Sequence, residues 1–291
     1  MKIFAQKPWP EKRKSLGLRW LRFVPAVPLP IRLPWGSVWL VRNDACGTAI
    51  LLGDFEQPER EFVERLLQPG MTVLDIGAHH GFYTLLAACR VGSNGRVLAF
   101  EPSPRERKSL KRHIRLNRCT NVIVEALALG STAGTANLFI AEGRETGCNS
   151  LRKPNISDTT REVPVRVRRL DHILEKHAIW QVDFIKLDAE GGELEILRGA
   201  GKFFDRQPRP VILAEVQDIR TRPWGYDARE IIAFLNERGF SWFKLLQGGN
   251  LESVKVGRRE YDGNFVAIPP ERIAEVLKWF HASDDRIVAA V

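Results

Sequence analysis

The 291-residue sequence predicts an α/β fold, a sheet with helices on both faces, preceded by a basic N-terminal extension. Three observations support this prediction. A short apolar strand at residues 71–76 passes through a glycine-punctuated turn into the apolar helix 82–89. Strand-like and helix-like segments then alternate along the chain, as in βαβ units. A hydrophobic content of 44% at this length suffices to bury a large core.

The bounds of the first predicted elements follow from residues that are typical of helix starts and helix ends. Pro25 and the prolines after it confine any N-terminal helix to residues 15–24. Helix 58–67 carries acidic residues in its first turn, the end that favours negative charge, and the proline and glycine at 69–70 terminate it. Ser103 and Pro104 are typical of a helix start. The predicted elements are strands 37–41, 71–76, 95–101 and helices 15–24, 58–67, 82–89, 103–117.

The rest of the chain continues the alternation. The segments 136–141 and 163–167 are predicted to form a hairpin beside the sheet, and Gly239 ends helix 227–238. The last two strands are expected as an antiparallel pair at the sheet edge. The predicted elements are strands 121–126, 182–188, 211–216, 240–246, 264–268 and helices 171–176, 194–198, 227–238, 269–280.

The net charge of +9 is concentrated at the N-terminus. Residues 1–43 hold nine Lys or Arg against Glu11 alone. Tryptophans, among them Trp20 and Trp35, lie between these cations. Three interpretations stay open: a solvated basic arm, a patch for an anionic substrate or membrane surface, and a lid over the active site. We expect the tryptophans to dock on the domain and the lysines to face outward.

Several protein classes are disfavoured. The four cysteines share no C-x-x-C spacing, so neither a zinc knuckle nor a disulfide framework is indicated. The six histidines include no H-x-x-x-H pair. No apolar run is long enough to span a bilayer, and no signal peptide is evident. These observations predict a cytoplasmic protein.

The turn after the first central strand predicts a ligand site. Asp75 ends that strand, and Gly77 and Gly81 let the backbone approach a ligand closely. Glu101 ends the next strand, where a two-pronged acceptor can take both hydroxyls of a ribose. The loop has His79 where a dinucleotide fingerprint has its second glycine. This pattern favours an adenosine ligand without a pyrophosphate, such as S-adenosylmethionine.

A second acidic group follows the strand at 182–188. Lys186 and Asp188 share one face of that strand, Glu190 follows in the loop, and Glu215 ends the neighbouring strand. We interpret Asp188, Glu190, Glu215 and Lys186 as candidate catalytic residues. The three carboxylates could instead hold Mg²⁺, which prefers oxygen ligands. Lys186 could also merely neutralise the acidic residues, and Asp188 could contact the methionine ammonium of the cofactor.

These motifs together resemble the FkbM-type S-adenosylmethionine-dependent methyltransferases. The resemblance rests on the runs at 73–84, 100–102 and 183–193, with 148–151 and 169–171 in support. It implies a class I methyltransferase fold, a Rossmann-like sheet of seven strands with the last one reversed. It also implies cofactor binding by Asp75, Gly77, Gly81 and Glu101, and places Glu125 and Ala126 beside the adenine. Neighbouring residues complete the predicted cofactor site: Ala78, His79, Phe82, Tyr83, Pro102 and Asp188.

We therefore predict a methyltransferase acting on a hydroxyl of a sugar, a glycan or a small metabolite. One alternative is a methyltransferase recruited by its basic N-terminus to a nucleic acid or membrane surface. The other is an NAD-binding oxidoreductase, which the missing G-x-G-x-x-G disfavours. Residues 1–57 are predicted to be an extension or cap, and 58–291 the catalytic domain. The predicted partners are the acceptor and an anionic surface contacted through residues 1–36. Peripheral membrane contact is thus left open, and the sequence gives no firm sign of nucleic acid.

Overall fold

The computed structural model describes residues 11–280 of the chain. Its helices are α1 Glu11–Phe23, α2 Ala45–Leu52, α3 Gln57–Leu66, α4 Phe82–Val91, α5 Pro104–Leu116, α6 Leu170–Lys176, α7 Glu193–Arg198, α8 Gly201–Phe204, α9 Asp218–Thr221, α10 Arg229–Asn236 and α11 Pro270–Trp279. Its strands are β1 Leu29–Arg32, β2 Val38–Val41, β3 Thr72–Ile76, β4 Arg96–Phe100, β5 Val122–Glu125, β6 Ala128–Leu129, β7 Gly134–Ala141, β8 Thr160–Arg168, β9 Phe184–Leu187, β10 Val211–Glu215, β11 Ser241–Leu245, β12 Leu251–Ser253 and β13 Asn264–Ile268.

The main sheet runs in the order β12-β11-β13-β10-β9-β3-β4-β5. Strands β10, β9, β3, β4 and β5 are parallel neighbours, and β13 lies antiparallel between β10 and β11. The register aligns Ile76 with Leu187 on one side and with Phe100 on the other. The carboxyl ends of β3, β4 and β9 therefore meet at one edge, which brings the acidic residues that follow them together.

The α/β class and the reversed strand β13 agree with the prediction, but the count of seven strands was wrong. The main sheet has eight, because β12 adds an antiparallel edge strand in which Leu251 pairs with Leu245. This strand has three residues, of which only Leu251 is apolar, and Glu252 and Ser253 are exposed. So short a segment has too little periodicity to be recognised from sequence.

Alternate side chains of the central strands belong to two separate hydrophobic cores, one on each face of the sheet. On β3, Leu74 belongs to the core beneath α6, α7, α8 and α10, while Val73 belongs to the core beneath α3, α4 and α11. Ile185 and Phe184 divide in the same way on β9. This two-sided burial explains why the central strands are apolar throughout.

The N-terminal segment packs on the second of these cores. Trp35 and Trp39 are buried, and the Trp35 ring meets Phe82 edge-on at 5.1 Å. Trp20 differs from the expectation that the tryptophans dock, since 40% of it is exposed. Helix α1 also begins before the predicted residue 15, but it ends at Phe23, as the prolines require. Trp9 lies outside the described residues.

The predicted hairpin beside the main sheet is confirmed and is part of a small second sheet. Strands β7 and β8 pair antiparallel, and β6 joins β8 in parallel. The connection between β7 and β8 reaches over the carboxyl edge of the main sheet, where Ser150 Oγ donates to the carbonyl of Glu190 at 2.7 Å. Over residues 11–280, no helix combines the length and apolarity that crossing a bilayer requires.

Candidate active site

A cavity opens at the carboxyl ends of β3, β4, β9 and β10. It therefore lies where open α/β sheets bind their ligands. Most residues predicted from the sequence line it. These are Asp75, Gly77, Ala78, His79, Phe82, Tyr83, Glu101, Pro102, Lys186, Asp188, Glu190 and Glu215.

The turn after β3 is shaped by two glycines with positive φ, Gly77 at 82° and Gly81 at 93°. The approach of this backbone to a ligand stays a prediction, and packing gives a further reason for a glycine. A Cβ on Gly77 would lie 1.7 Å from the carbonyl oxygen of Asp188, and one on Gly81 would lie 2.5 Å from Leu110 Cδ1. Packing against backbone thus excludes a side chain at Gly77, and the positive φ disfavours one at both glycines. Gly81 is the N-cap residue immediately before α4 and does not line the cavity.

Glu101 is held rigidly at the end of β4. The backbone N–H of His79 donates to its Oε2 and that of Ser103 to its Oε1, each at 2.7 Å. Burial, together with the nearby Glu106, raises the pKa of Glu101 to about 8. In the ionised form, each carboxylate oxygen still has a lone pair for a further donor. The side chain is therefore a preorganised acceptor for two hydroxyl groups.

Asp75 is a buried residue that contributes to the wall from β3. Thr84 Oγ1 donates to its Oδ2 at 2.5 Å. Burial raises the pKa of Asp75 to about 6, although Thr84 and Lys186 oppose the shift. Asp75 thus fixes the start of α4 against the strand end through Thr84.

Three carboxylates from the ends of β9 and β10 converge on the other side of the cavity. One oxygen each of Asp188, Glu190 and Glu215 lies within 4.8 Å of the other two. Lys186 Nζ donates to Asp188 Oδ2 at 2.7 Å, and Arg220 Nε lies 2.9 Å from Glu190 Oε2. Two of the three negative charges therefore already have a cationic partner.

Glu215 is the carboxylate without such a partner. Its Oε2 is buried and, among residues 11–280, accepts no hydrogen bond. Burial raises its pKa well above the usual range, and the neighbouring Asp188 and Glu190 add to the effect. Burial likewise raises the pKa of Glu190, to about 8, against the influence of Arg220. A half-buried carboxylate with one enclosed, unpaired oxygen can take up a proton.

A further acidic residue, Glu56, was not predicted. It lines the cavity just before α3 with a positive φ of 40°, and Tyr83 Oη donates to its Oε2 at 2.6 Å. Lys186 Nζ lies 5.3 Å from the centroid of the Tyr83 ring. Burial raises the pKa of Glu56, although Lys186 opposes the shift. Glu56 and Tyr83 thus join the N-terminal part of the wall to the carboxylate group.

Glu125 and Ala126 do not line the cavity. Glu125 Oε1 instead accepts from Lys176 Nζ and pairs with His177 Nε2, both at 2.5 Å. These partners belong to the end of α6 and the residue after it. At this strand end the wall is made by the apolar residues that follow, Leu127, Ala128 and Leu129.

Residues 75–242 match the family model of the methyltransferase FkbM domain. This match covers more than half of the chain. The chain belongs to the FkbM methyltransferase family. The resemblance seen in the sequence motifs is thereby confirmed, and with it the prediction of a methyltransferase.

Individual relatives of this FkbM protein are distant. Methyltransferase sdnD of Sordaria araneosa is 26% identical over 58% of this chain and 73% of its own length. Methyltransferase 1 of Beauveria bassiana is 28% identical over 44% of this chain and 57% of its own. The crystal structure of methyltransferase FkbM from Methylobacillus flagellatus KT gives a TM-score of 0.44 at 15% identity, covering 78% of this chain and 56% of that one.

Part of the cavity wall lies before residue 75, outside the matched FkbM domain. Its apolar members are Trp39, Cys46, Ile50 and Phe55, and its acidic member is Glu56. A sequence signal for α2 was available, because Asp44 caps its first turn by accepting from Gly47 N and Gly53 follows its end. No comparable signal marks Glu56, since its partner Tyr83 is 27 residues away.

Proposed function

We propose that this FkbM protein transfers a methyl group from S-adenosylmethionine to a hydroxyl of a sugar, a glycan or a small metabolite. One observation carries the proposal. A single cavity holds a carboxylate fixed by two backbone amides, Glu101, and a carboxylate whose buried Oε2 accepts no hydrogen bond from residues 11–280, Glu215, at the ends of different strands. The first suits a ribose, and the second suits the proton of an acceptor.

The cofactor end of the cavity is assigned to the β3 turn and β4. When bound, S-adenosylmethionine supplies an electrophilic methyl group on a sulfonium centre. Glu101 would accept hydrogen bonds from the two ribose hydroxyls through its remaining lone pairs. Asp188, which pairs with Lys186, would offer its carboxylate to the methionine ammonium. Both groups act by positioning, which is the main contribution a protein makes to such a transfer.

The acceptor end is assigned to the carboxylates of β9 and β10. A hydroxyl that attacks a methyl group must lose its proton, and a positioned carboxylate can take it. Glu215 is best placed for this role, because Asp188 and Glu190 are already engaged by Lys186 and Arg220. Its raised pKa brings it closer to the working pH than an ordinary carboxylate. Lys186 would balance the charge of the site.

A magnesium ion fits this carboxylate group poorly. Lys186 Nζ lies 2.7 Å from Asp188 Oδ2 and Arg220 Nε lies 2.9 Å from Glu190 Oε2. Two of the three carboxylates are therefore neutralised by the chain's own cations, which would compete with a bound metal ion. The magnesium interpretation of the sequence is therefore not part of the proposed mechanism.

We expect methyl transfer to proceed unchanged in EDTA, because the chain's own cations already neutralise two of the three carboxylates. The measurement compares initial rates in excess EDTA and in excess Mg²⁺. Loss of turnover in EDTA and its recovery with Mg²⁺ would contradict the assignment and return Asp188, Glu190 and Glu215 to a metal role.

The general-base role of Glu215 is tested by Glu215→Gln. The full-length protein is incubated with S-adenosylmethionine and a panel of free sugars, polysaccharides and hydroxylated metabolites, and mass spectrometry detects the gain of one methyl group. We expect the variant to lose about 100-fold or more in rate. We also expect it to lose the rise in rate with pH, since the wild-type base must ionise. The exposed Glu252→Gln is the matched control. Methylation of nitrogen alone, or an unchanged Glu215→Gln rate, would overturn the proposal.

A further inference from the structure

Helix α1 presents an apolar stripe to solvent. Leu16, Trp20 and Phe23 are spaced at i, i+4 and i+7, so they share one face of the helix. They are 64%, 40% and 71% exposed. Three large apolar side chains side by side on a helix surface are unusual unless something binds them.

The adjacent face of α1 is already packed against the protein. Leu21 is 3% exposed, and Gly17 lies so close to α2 that a Cβ there would be 2.9 Å from Leu51 Cδ2. Turning the stripe inward would pull Leu21 out of the core and break this contact. The apolar stripe is therefore fixed in its outward orientation.

The chain after α1 extends the stripe into a larger patch. Trp20 Nε1 donates to the carbonyl of Val27 at 2.9 Å, which folds this segment back against the helix. Val24 and Val27 are 36% and 48% exposed. We name Leu16, Trp20, Phe23, Val24 and Val27 the α1 patch.

Positive charge borders the α1 patch. Arg19 and Arg22 are exposed on the same helix, and the Arg22 guanidinium carbon lies 5.8 Å from the centroid of the Phe23 ring. Lys14, on the same helix, is half-buried. The first 43 residues contain a single acidic side chain, Glu11. The surroundings of the patch are thus strongly cationic.

We propose that the α1 patch binds the surface of an anionic lipid bilayer. An exposed helix face of Leu, Trp and Phe flanked by Arg and Lys has the composition of helices that lie in the membrane interface. The apolar side chains would enter the acyl boundary while the arginines contact lipid phosphates. A second copy of the chain would bring like charges together, and a nucleic acid would leave Leu16 and the valines without an apolar partner.

Binding in this way would place the cavity close to the membrane. Helix α2 contributes Cys46 and Ile50 to the cavity wall, and Leu51 on the same helix packs against α1. One helix therefore separates the lipid-binding face from the cavity. The membrane proposal does not depend on methyl transfer, because it concerns a surface and not the reaction.

Vesicle flotation with the full-length protein tests the proposal. The probes are vesicles of phosphatidylcholine alone and of phosphatidylcholine with about one third phosphatidylglycerol. We expect binding to the anionic vesicles that weakens steeply between low and high salt, since salt screens the arginine contribution. Binding to zwitterionic vesicles should be at least about tenfold weaker.

Two double variants separate the apolar and the charged contributions. Leu16→Ser with Phe23→Ser should lower the affinity for anionic vesicles by about tenfold or more. Arg19→Gln with Arg22→Gln should lower it by about 30-fold. The matched controls change exposed residues elsewhere: Leu116→Ser with Val256→Ser, and Arg112→Gln with Arg115→Gln. Both control pairs should bind within about twofold of the wild type.

Circular dichroism melting verifies that each variant is folded, which is expected because the altered side chains are exposed. Equal binding to both vesicle types, or wild-type binding by the Leu16 and Phe23 variant, would overturn the proposal. The proposal would also be overturned if the wild type failed to bind vesicles and instead formed a dimer, seen by analytical ultracentrifugation, that the Leu16 and Phe23 variant did not form. Preference of the wild type for RNA over anionic vesicles would overturn it as well.

Discussion

Gly77, which follows β3, lies so close to Asp188, which follows β9, that no side chain fits between them. Its φ of 82° favours glycine, and the Asp188 carbonyl occupies the position of a Cβ. The sequence indicated a glycine here for close approach to a ligand, which stays a prediction, and packing against Asp188 is a second reason for it. A turn that approaches a ligand and a turn that approaches a neighbouring strand have the same sequence pattern, and only their three-dimensional packing distinguishes them.

Gly77→Ala should destabilise the protein far more than an alanine at another left-handed glycine. We expect a loss of at least about 3 kcal/mol in the free energy of unfolding, because the new methyl group meets backbone that cannot easily move. Gly36→Ala is the control: Gly36 has a φ of 92° with nothing within 4 Å of its Cβ position, so it should cost only about 1–2 kcal/mol. Urea denaturation measures both. Equal losses would show that the contact with Asp188 does not constrain the turn.

Glu56 is a cavity residue that could not be predicted from the sequence. Nothing in the neighbouring sequence distinguishes it from the other acidic residues around 54–64. Its position in the cavity depends on Tyr83, which a different element supplies. Strand-end carboxylates such as Glu101 and Asp188 could be predicted because parallel strands share an edge. No such rule predicts where the side chain of a loop residue such as Glu56 will lie.

At the scale of elements, His113 connects three parts of the fold. On α5, its Nδ1 lies 2.8 Å from the His80 carbonyl in the β3 turn, and its Nε2 accepts from Leu40 N on β2 at 3.1 Å. Its ring stacks on Trp39 at 4.1 Å. Both hydrogen bonds require the neutral ring with its proton on Nδ1. Burial, with Arg112 and Arg42 nearby, lowers the pKa of His113 to about 4.

This neutral histidine should make stability depend on pH in the mildly acidic range. The folded pKa lies below the unfolded value near 6.5, so the contribution is complete above about pH 6.5 and is lost as the pH falls towards 4. Between pH 7 and pH 5, His113→Gln should therefore lose roughly 2 kcal/mol less stability than the wild type. Urea denaturation at both pH values measures the difference. The exposed His172→Gln should behave as the wild type does, and an unchanged pH dependence in His113→Gln would contradict the role.

The elements that sequence patterns predicted are those that bury a continuous apolar face. Strand β13 spans the residues expected for it, and α4 begins at the predicted Phe82. Helix α2 was missed because its eight residues include no charged side chain and show no alternation of apolar and polar faces. Strand β12 was missed because a three-residue edge strand is stabilised by pairing with β11 and not by its own pattern.

At the scale of the whole molecule, the N-terminal segment that carries most of the net charge also forms part of the cavity wall. The basic N-terminal segment supplies Trp39, Ile50 and Glu56 to the cavity wall while α1 carries the apolar patch on the outside. Sequence alone left a solvated arm, a surface patch and a lid open for this segment. The choice depends on which tryptophans are buried, and that is a property of packing between elements distant in sequence.

The central claim, that this FkbM protein uses the cavity at Glu101 for S-adenosylmethionine, is tested most directly by calorimetry of the full-length protein. We expect S-adenosylmethionine and S-adenosylhomocysteine to bind with a Kd on the order of 1 μM, and NAD not to bind. Glu101→Gln should weaken binding by about 30-fold through the two ribose hydrogen bonds, while the exposed Glu142→Gln should leave it unchanged. Unaltered affinity in Glu101→Gln, or NAD binding as tightly as S-adenosylmethionine, would contradict the claim.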